Sequence, residues 1–550
     1  MSEKDTAKDF EEAYREALDH WSPYLAEAAQ DLAQALGDQW SPADRAYLDS
    51  ERRAALVFNK IHRVLKLVGG FQRKNRLSLR VDPVEDSDAA TASQLSAVLL
   101  WQLSYSGGDN VLSDAFENGA LTTGANLVHL YMDYAEDPVF GDIKLARVPY
   151  NRFLLDPSFT RRNLEDCSYV LRREFRDENA VRAILPASAR KRLAGIRPGG
   201  PDGKYPQGGA PYGSGLRRLF RVDEFWRRGS SEIRLLLDPK TGQASRFSGT
   251  DEDLAEILAA FPDLSIATAV CRDVTLDILV EGEPVYQGPE PSGLTDFPFV
   301  PVMGFFTPEC PDPRYRLQGI VRCMRDPQAE VNRRRSKMID ILDSQLSSGW
   351  LAAENSVVNP DSLYGAGQGK VIWLRANRSA ADVSRLPPPQ FPQGLFEAME
   401  LLDRDIMEIP GANSELLGMP DASGAQVAGI LSKLRQASGL TILQDLFDNY
   451  RLAQKLVGQK MIRMIQENYG PEKIRRITGG TPSPEFYSKD FGKYDAVPVE
   501  GVLSDTERQV RFAQLVELKR MGAPISWEAL IEASPLENKD RLLAGMSAKA

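Results

Sequence analysis

Tyr364–Val371, YGAGQGKV, sets three alternating glycines before a lysine, the composition of a loop that cradles phosphate. A nucleotide-binding loop of that kind needs a glycine five residues before its Gly-Lys pair. It also needs a Ser or Thr after the lysine, to hold magnesium. Tyr364 and Val371 stand at those two positions, so both requirements fail. Gly203-Lys204-Tyr205 fails in the same way. No GxGxxG follows a strand-like run, and neither HExxH nor GxSxG occurs. The four cysteines (Cys167, Cys271, Cys310 and Cys323) lie far apart, so neither a zinc site nor a disulfide framework is indicated. Only His20, His62 and His129 could supply imidazole, the commonest general base. The carboxylate pairs Asp403/Asp405 and Asp445/Asp448 fall on helical stretches, where such spacings are usually solvated faces. The chain therefore offers no catalytic residue, no metal site and no cofactor site, and no enzyme is expected.

The chemistry that stands out is positive charge in one place. Gly319–Leu342, GIVRCMRDPQAEVNRRRSKMIDIL, carries six basic residues against three acidic ones, in a chain of 550 residues with a formal net charge of −10. Asp326 suits an N-cap and Pro327 a first helical position, which predicts a helix from Pro327 to about Leu346. The first half of that helix has only Val331 as an apolar residue, too thin a stripe for a core helix. Arg333, Arg334, Arg335 and Lys337 then line a solvated face, or pack against acidic copies of the same protein, or meet DNA phosphate. A protein that grips DNA tightly is usually basic, because neutralised phosphates supply most of the non-specific affinity. An acidic chain fits DNA that passes by better than DNA that is clamped.

Other elements must position that helix. Ala7–Leu36 reads as an acidic amphipathic helix interrupted near Trp21-Ser22-Pro23. Ser41-Pro42 opens a second helix, and Glu51–Val68 follows, stopped by Gly69-Gly70. Thr91–Tyr105 and Asn110–Thr123 are helical. Asn126–Asp133, Ile143–Val148, Phe153–Leu155 and Tyr169–Phe175 alternate as strands do. Gly195–Gly215 holds eight glycines and four prolines and supports no regular element. Beyond it, Phe220–Trp226 and Glu232–Leu237 suggest a hairpin around Arg228-Gly229-Ser230-Ser231. Asp251–Phe261 is a short helix, and Ala267–Val280 and Glu283–Gln287 are strands. Ser348–Gln390 reads as short strands and turns, with Val371–Leu374 the clearest strand. Gly394–Glu408 is helical, Ile409–Ser423 breaks it, and Gly424–Tyr469 continues as one helical pattern. A capping box at Ser504-x-x-Glu507 starts a last helix, which ends at Gly522. No window is apolar for long enough to span a membrane. The N-terminus lacks a signal-peptide layout, so the protein is expected in a cytoplasm.

Several of these stretches, in this order, resemble portal proteins of tailed double-stranded-DNA bacteriophages, and portals of short-tailed phages most of all. The segment Gly319-Ile320-Val321-Arg322, then Asp326-Pro327-Gln328 and Asn332, is similar to the one that leads into the portal stem. Phe71-Gln72-x-x-Asn75-Arg76, Ala115-Phe116-Glu117, Gly124-Ala125-Asn126-Leu127 and Pro149–Pro157 resemble the early wing region. Phe297–Val302 resembles the strand before the stem. Ser423-Gly424-x-Gln426-Val427, Phe447-Asp448-Asn449, Lys493–Val497 and Thr506-x-Arg508-Gln509 continue the likeness, which covers roughly residues 50 to 530.

The resemblance implies an α+β portal fold with a helical wing and crown, a two-helix stem and a small α/β clip, assembled as a ring, usually of twelve subunits. Residues 1–296 would be the N-terminal helices and wing, and 297–347 the approach to the stem and its first helix. The clip would be 348–390, and 391–423 the second stem helix with the tunnel-loop region. The long wing helix would be 424–490, and 491–550 a short crown lacking a long C-terminal helical barrel. Arg333, Arg334, Arg335 and Lys337 would lie at a subunit interface or in the DNA channel. Asn413, Ser414, Glu415 and Ser423 would belong to the tunnel loop, and Lys370, Trp373, Arg375 and Arg378 to the partner-binding clip. The implied partners are further copies of the chain, double-stranded DNA in the channel, the terminase large subunit, the major capsid and scaffolding proteins, and head-completion or tail adaptor proteins. No cofactor and no membrane are implied. The implied location is the portal vertex of the virion, after assembly in the host cytoplasm. The competing structural reading is a different head–tail adaptor of the virion.

Overall fold

The computed structural model describes residues 3–51, 53–74, 78–83, 89–198, 219–239, 244–247, 249–346, 349–364, 371–386, 393–411, 441–483, 486–487 and 494–499, with short pieces between 515 and 531. The chain divides into two compact units. The first comprises Met1–Ala29, Val68–Gly319 and Gln444–Ala550; the second comprises Gln30–Leu67 and Ile320–Leu443. Helices and antiparallel sheets together make an α+β protein.

The first unit is built on two main sheets. The larger runs in the order Phe153–Leu155, Tyr169–Arg176, Phe220–Leu237, Ser265–Val280, Glu283–Pro289, with Ala244–Phe247 paired to the far part of the third strand. The smaller places Ala125–Asp133 between Phe299–Met303 and Asp142–Val148. Phe116, Phe159, Phe297, Phe299 and Tyr469 are fully buried around these sheets. Helix Gln444–Asn468 buries Leu446, Tyr450, Ala453, Val457, Met461, Met464 and Ile465, a stripe recurring every three to four residues. Its Phe447 meets Phe71 and Phe116 at ring distances of 5.7 and 5.8 Å. Far apart in sequence, Ser78–Pro83 and Tyr494–Val499 pair as a two-stranded antiparallel ribbon, Leu79 opposite Pro498.

Among the described residues of this unit, buried charged groups have partners. Lys473, fully buried, reaches Asp142 at 2.8 Å and also bonds the carbonyl of Gly141. Lys460 donates to Asp296 and to the carbonyl of Phe297, and burial lowers its pKa. His129 accepts from the Arg172 guanidinium at 2.9 Å and stacks on Phe299 at 4.8 Å. Burial, and then the Arg172 charge, push its pKa well below that of an ordinary histidine.

Several sequence expectations hold, and several are corrected. The four strands between residues 125 and 176 form where alternation places them. Thr250 and Asp253 cap helix Asp251–Ala260 reciprocally. The hairpin around Arg228–Ser231 does not form. Phe220–Leu237 is one strand, in unbroken register with Ser265–Val280 from Val222↔Val280 to Leu237↔Ser265. Gly229 is there for space: a Cβ at that position would sit 2.5 Å from Asp273 Oδ1. The Gly69-Gly70 stop also fails, because helix Lys60–Lys74 runs straight through it. Gly69 lies against Glu117, where an added Cβ would come within 3.2 Å of the carboxylate. Pro23 does not interrupt the first helix, Glu3–Leu36. Trp21 and Tyr24 flank it and donate to the carbonyls of Leu155 and Thr123. Within 424–469, residues 424–440 lie outside the described residues; Thr441–Leu443 is a 3-10 turn, and the α-helix begins at Gln444. The Gly/Pro-rich stretch from 199 and the Ser504 capping box also lie outside the described residues.

The second unit is organised by helices Val321–Leu346 and Gln393–Glu408, which pack against each other. Between them in sequence lies a small β module, with Trp350–Ala352 antiparallel to Val383–Arg385. Val371–Leu374, expected as a strand, is not one; Leu374 makes a single bridge to Val357. The first helix also begins earlier than expected. Pro327 lies inside it, six residues after its start, because Ile320, Val321 and Met324 are buried and carry the helix back past the proline.

Candidate functional site

The basic helix Val321–Leu346 solves the problem of its thin apolar stripe with amides. Gln328, Asn332 and Ser336, one turn apart on one face, are buried, Gln328 completely. A buried amide costs free energy unless its donors and acceptors are satisfied. Gln328 Oε1 accepts from the backbone N–H groups of Lys60 and Ile61, at 2.9 and 3.3 Å. Gln328 Nε2 donates to the carbonyl of Phe58 at 2.9 Å. Asn332 Oδ1 accepts from the Phe58 N–H at 2.9 Å, and its Nδ2 donates to Gln39 at 2.7 Å. Lys60 begins helix Lys60–Lys74, whose first N–H groups have no partner within their own helix. Gln328 caps that helix from outside, while Asn59 accepts from the His62 N–H at 3.0 Å. The two amides therefore lock the segment around Phe58 and the next helix onto the basic helix.

The six basic residues divide into three groups. Arg322 and Arg325 converge on Asp31, which is fully buried, at 2.7 and 3.3 Å. Arg335 and Lys60 both pair with Asp403 of the second helix, at 2.8 and 2.9 Å, and the Arg335 guanidinium lies 4.9 Å from the Phe58 ring centroid. This cluster ties the two helices together beside buried Val331 and Ile406. Arg333 and Arg334 remain exposed and share Glu330, at 3.1 and 3.2 Å. Lys337, one turn on from Arg333, is exposed beside them. One turn beyond Lys337, Asp340 pairs with Arg53, and that hydrogen bond raises the Arg53 pKa. The four expected residues thus separate: Arg335 serves the helix pair, whereas Arg333, Arg334 and Lys337 face outward.

The expected clip residues lie in the β module. Trp373 is exposed; its N–H donates to Asn359 Oδ1 at 2.9 Å and its carbonyl accepts from Val358. The Arg375 N–H donates to the carbonyl of Ser356. The Arg378 guanidinium reaches the carbonyl of Glu354 at 3.3 Å. Leu351, Val358 and Val371 are exposed in the same module as Trp373. Lys370 and the tunnel-loop residues Asn413, Ser414, Glu415 and Ser423 lie outside the described residues. So does most of the phosphate-loop look-alike, whose Tyr364 closes the short helix Asp361–Tyr364. Among the described residues no group of three or more His, Cys, Asp or Glu side chains is placed to hold a metal ion. No described helix is long and apolar enough to cross a membrane.

Asp31, Gln39, Gln328, Asn332 and Asp403 hold the unit together; the sequence offered Asp403 only as half of a solvated carboxylate pair, which its pairing with Arg335 and Lys60 corrects, and the other four were not read as site residues. Asp31 left a trace: it interrupts the helical stripe Tyr24, Ala28, Asp31, Ala35, all buried, where a carboxylate needs a distant cation. Gln328 and Asn332 left one too, as amides spaced four apart where an apolar stripe should be.

No curated protein matches the chain. The family described as Phage P22-like portal protein matches residues 11–548. That match spans both units, the paired helices and the β module between them, and the chain belongs to the P22-like phage portal protein family.

Proposed function

We propose that this portal protein assembles as a ring, most simply a dodecamer, at one vertex of a phage capsid, and that double-stranded DNA enters and leaves the head through its centre. The family match over 11–548 carries this reading. In it, helices Val321–Leu346 and Gln393–Glu408 are the stem, the module around Trp350–Ala352 and Val383–Arg385 is the clip, and 409–423 holds the tunnel-loop region. The residues before Phe297 and the helix Gln444–Asn468 form the wing, and 491–550 a short crown. The clip offers Leu351, Val358, Val371 and Trp373 to the terminase large subunit during filling and to head-completion or tail adaptor proteins afterwards. Capsid and scaffolding proteins surround the wing.

The charge balance supports a conduit. A chain at −10, repeated around a ring, repels phosphate overall, so DNA slides rather than sticks. Failure of YGAGQGKV to meet the nucleotide-loop pattern leaves ATP hydrolysis to a separate motor, and the portal itself performs no catalysis.

Electron microscopy of the purified full chain tests the reading. Rings with a central hole wide enough for duplex DNA are the expected result. A chain that stays monomeric at high concentration, alone and with its scaffold, overturns it. Metal-dependent ATP hydrolysis lost in a site variant would overturn the non-catalytic part alone.

A further inference from the structure

We infer that neighbouring copies of this chain meet through the outward faces of the two paired helices: the basic face of Val321–Leu346 on one copy docks against the acidic face of Gln393–Glu408 on the next. The inference rests on the ring reading above and names the surfaces that close the ring.

Each helix has one face committed within the chain and one left over. The committed faces meet at Arg335–Asp403, with Val331 and Ile406 buried. The remaining face of Val321–Leu346 exposes Arg333, Arg334 and Lys337, with Glu330 shared by the two arginines. Asp326, exposed a turn before Glu330, and Asp340, a turn after Lys337, share that face, but Asp340 is paired with Arg53, so cations remain in excess by one. The remaining face of Gln393–Glu408 exposes Glu397, Glu400, Asp405 and Glu408 against Arg404. Among the described residues no cation pairs with those four carboxylates. Leu401 lies among them and is 56% exposed.

The two faces are opposite in sign and carried by different helices. Matching basic to acidic is attractive, and matching either face to itself brings like charges together. That arrangement favours head-to-tail contact over a two-fold dimer, and head-to-tail contact is what propagates into a ring. It also assigns the outward arginines sideways, to the next subunit, rather than inward to DNA.

Three variants of the full chain test this. The first reverses the basic face (Arg333→Glu, Arg334→Glu, Lys337→Glu). The second reverses the acidic face (Glu397→Lys, Glu400→Lys, Asp405→Lys). The third combines all six changes. Ring formation is followed against protein and salt concentration by sedimentation velocity, with thermal unfolding as the control for folding. Each single-face variant is expected to need at least about tenfold more protein to form rings, and the combined variant to return to within about threefold of the wild type. Wild-type assembly weakens as salt rises. The inference is overturned if single-face reversal leaves assembly unchanged, or if lost assembly does not return in the combined variant. Intact rings that package no DNA would assign the arginines to the channel and overturn it as well. A wild-type chain that forms no rings would fail the ring reading itself, and this inference with it.

Discussion

At the scale of single residues, buried polar groups decide what the second unit is. Replacing Gln328 by Ala leaves the N–H groups of Lys60 and Ile61 and the carbonyl of Phe58 without their partner. The expected loss is about 1–3 kcal/mol, the cost of stranding a buried donor or acceptor. Urea unfolding followed by circular dichroism measures it; an unchanged midpoint would mean the amide is not capping that helix. In the first unit, His129 makes stability depend on pH. Its folded pKa is far below the unfolded value, so below about pH 6.5 the unfolded chain binds a proton that the folded chain refuses. The contribution of neutral His129 is complete above that pH and falls away as the pH drops, with a slope approaching about 1.4 kcal/mol per pH unit. His129→Gln removes that part of the slope, which unfolding midpoints between pH 5 and 7.5 would reveal. None of these partners was legible in the sequence. A glutamine or histidine announces its donors and acceptors, but the atoms that satisfy them lie up to hundreds of residues away.

At the scale of elements, local pattern was a good guide wherever the neighbours agreed with it. The strands between 125 and 176 and the capped helix at 251 follow alternation and capping, which tertiary contacts reinforce. Glycine and proline misled where they solve packing problems instead of ending elements. Gly69 lets a helix pass close to Glu117, Gly229 makes room for Asp273, and Pro327 sits inside a helix that buried Val321 and Met324 extend backwards. The position of Pro327 has a measurable consequence. An internal proline leaves a carbonyl four residues earlier without its helical donor, whereas a proline at the first position costs nothing. Pro327→Ala is therefore expected to stabilise the second unit, by up to about 3 kcal/mol. A neutral or destabilising result in thermal unfolding would return the helix start to Pro327. The candidate site was half legible at this scale. The sequence marked the basic helix and its partner at 394–408, but gave no sign that Arg335 and Asp403 would turn toward each other while Arg333 and Arg334 turned away.

At the scale of the whole molecule, each unit is assembled from separate stretches of chain. The ribbon of Ser78–Pro83 with Tyr494–Val499 is the widest of these joins, with Leu79 and Val81 buried beneath it. Removing residues 494 onward takes away that partner strand. Limited trypsin digestion is then expected to cut after Arg80 in the shortened chain, at times when the full chain resists. Equal resistance would mean the ribbon adds nothing to local stability. The same join sets a timetable. Some 420 residues separate Leu79 from Pro498, so on a ribosome adding roughly 5–20 residues per second the first strand waits about 20–80 s for its partner. Through that interval the strand edge is open on a nascent chain. Closing the ribbon reports that synthesis has passed Val499, and a chain terminated before Tyr494 lacks that closure.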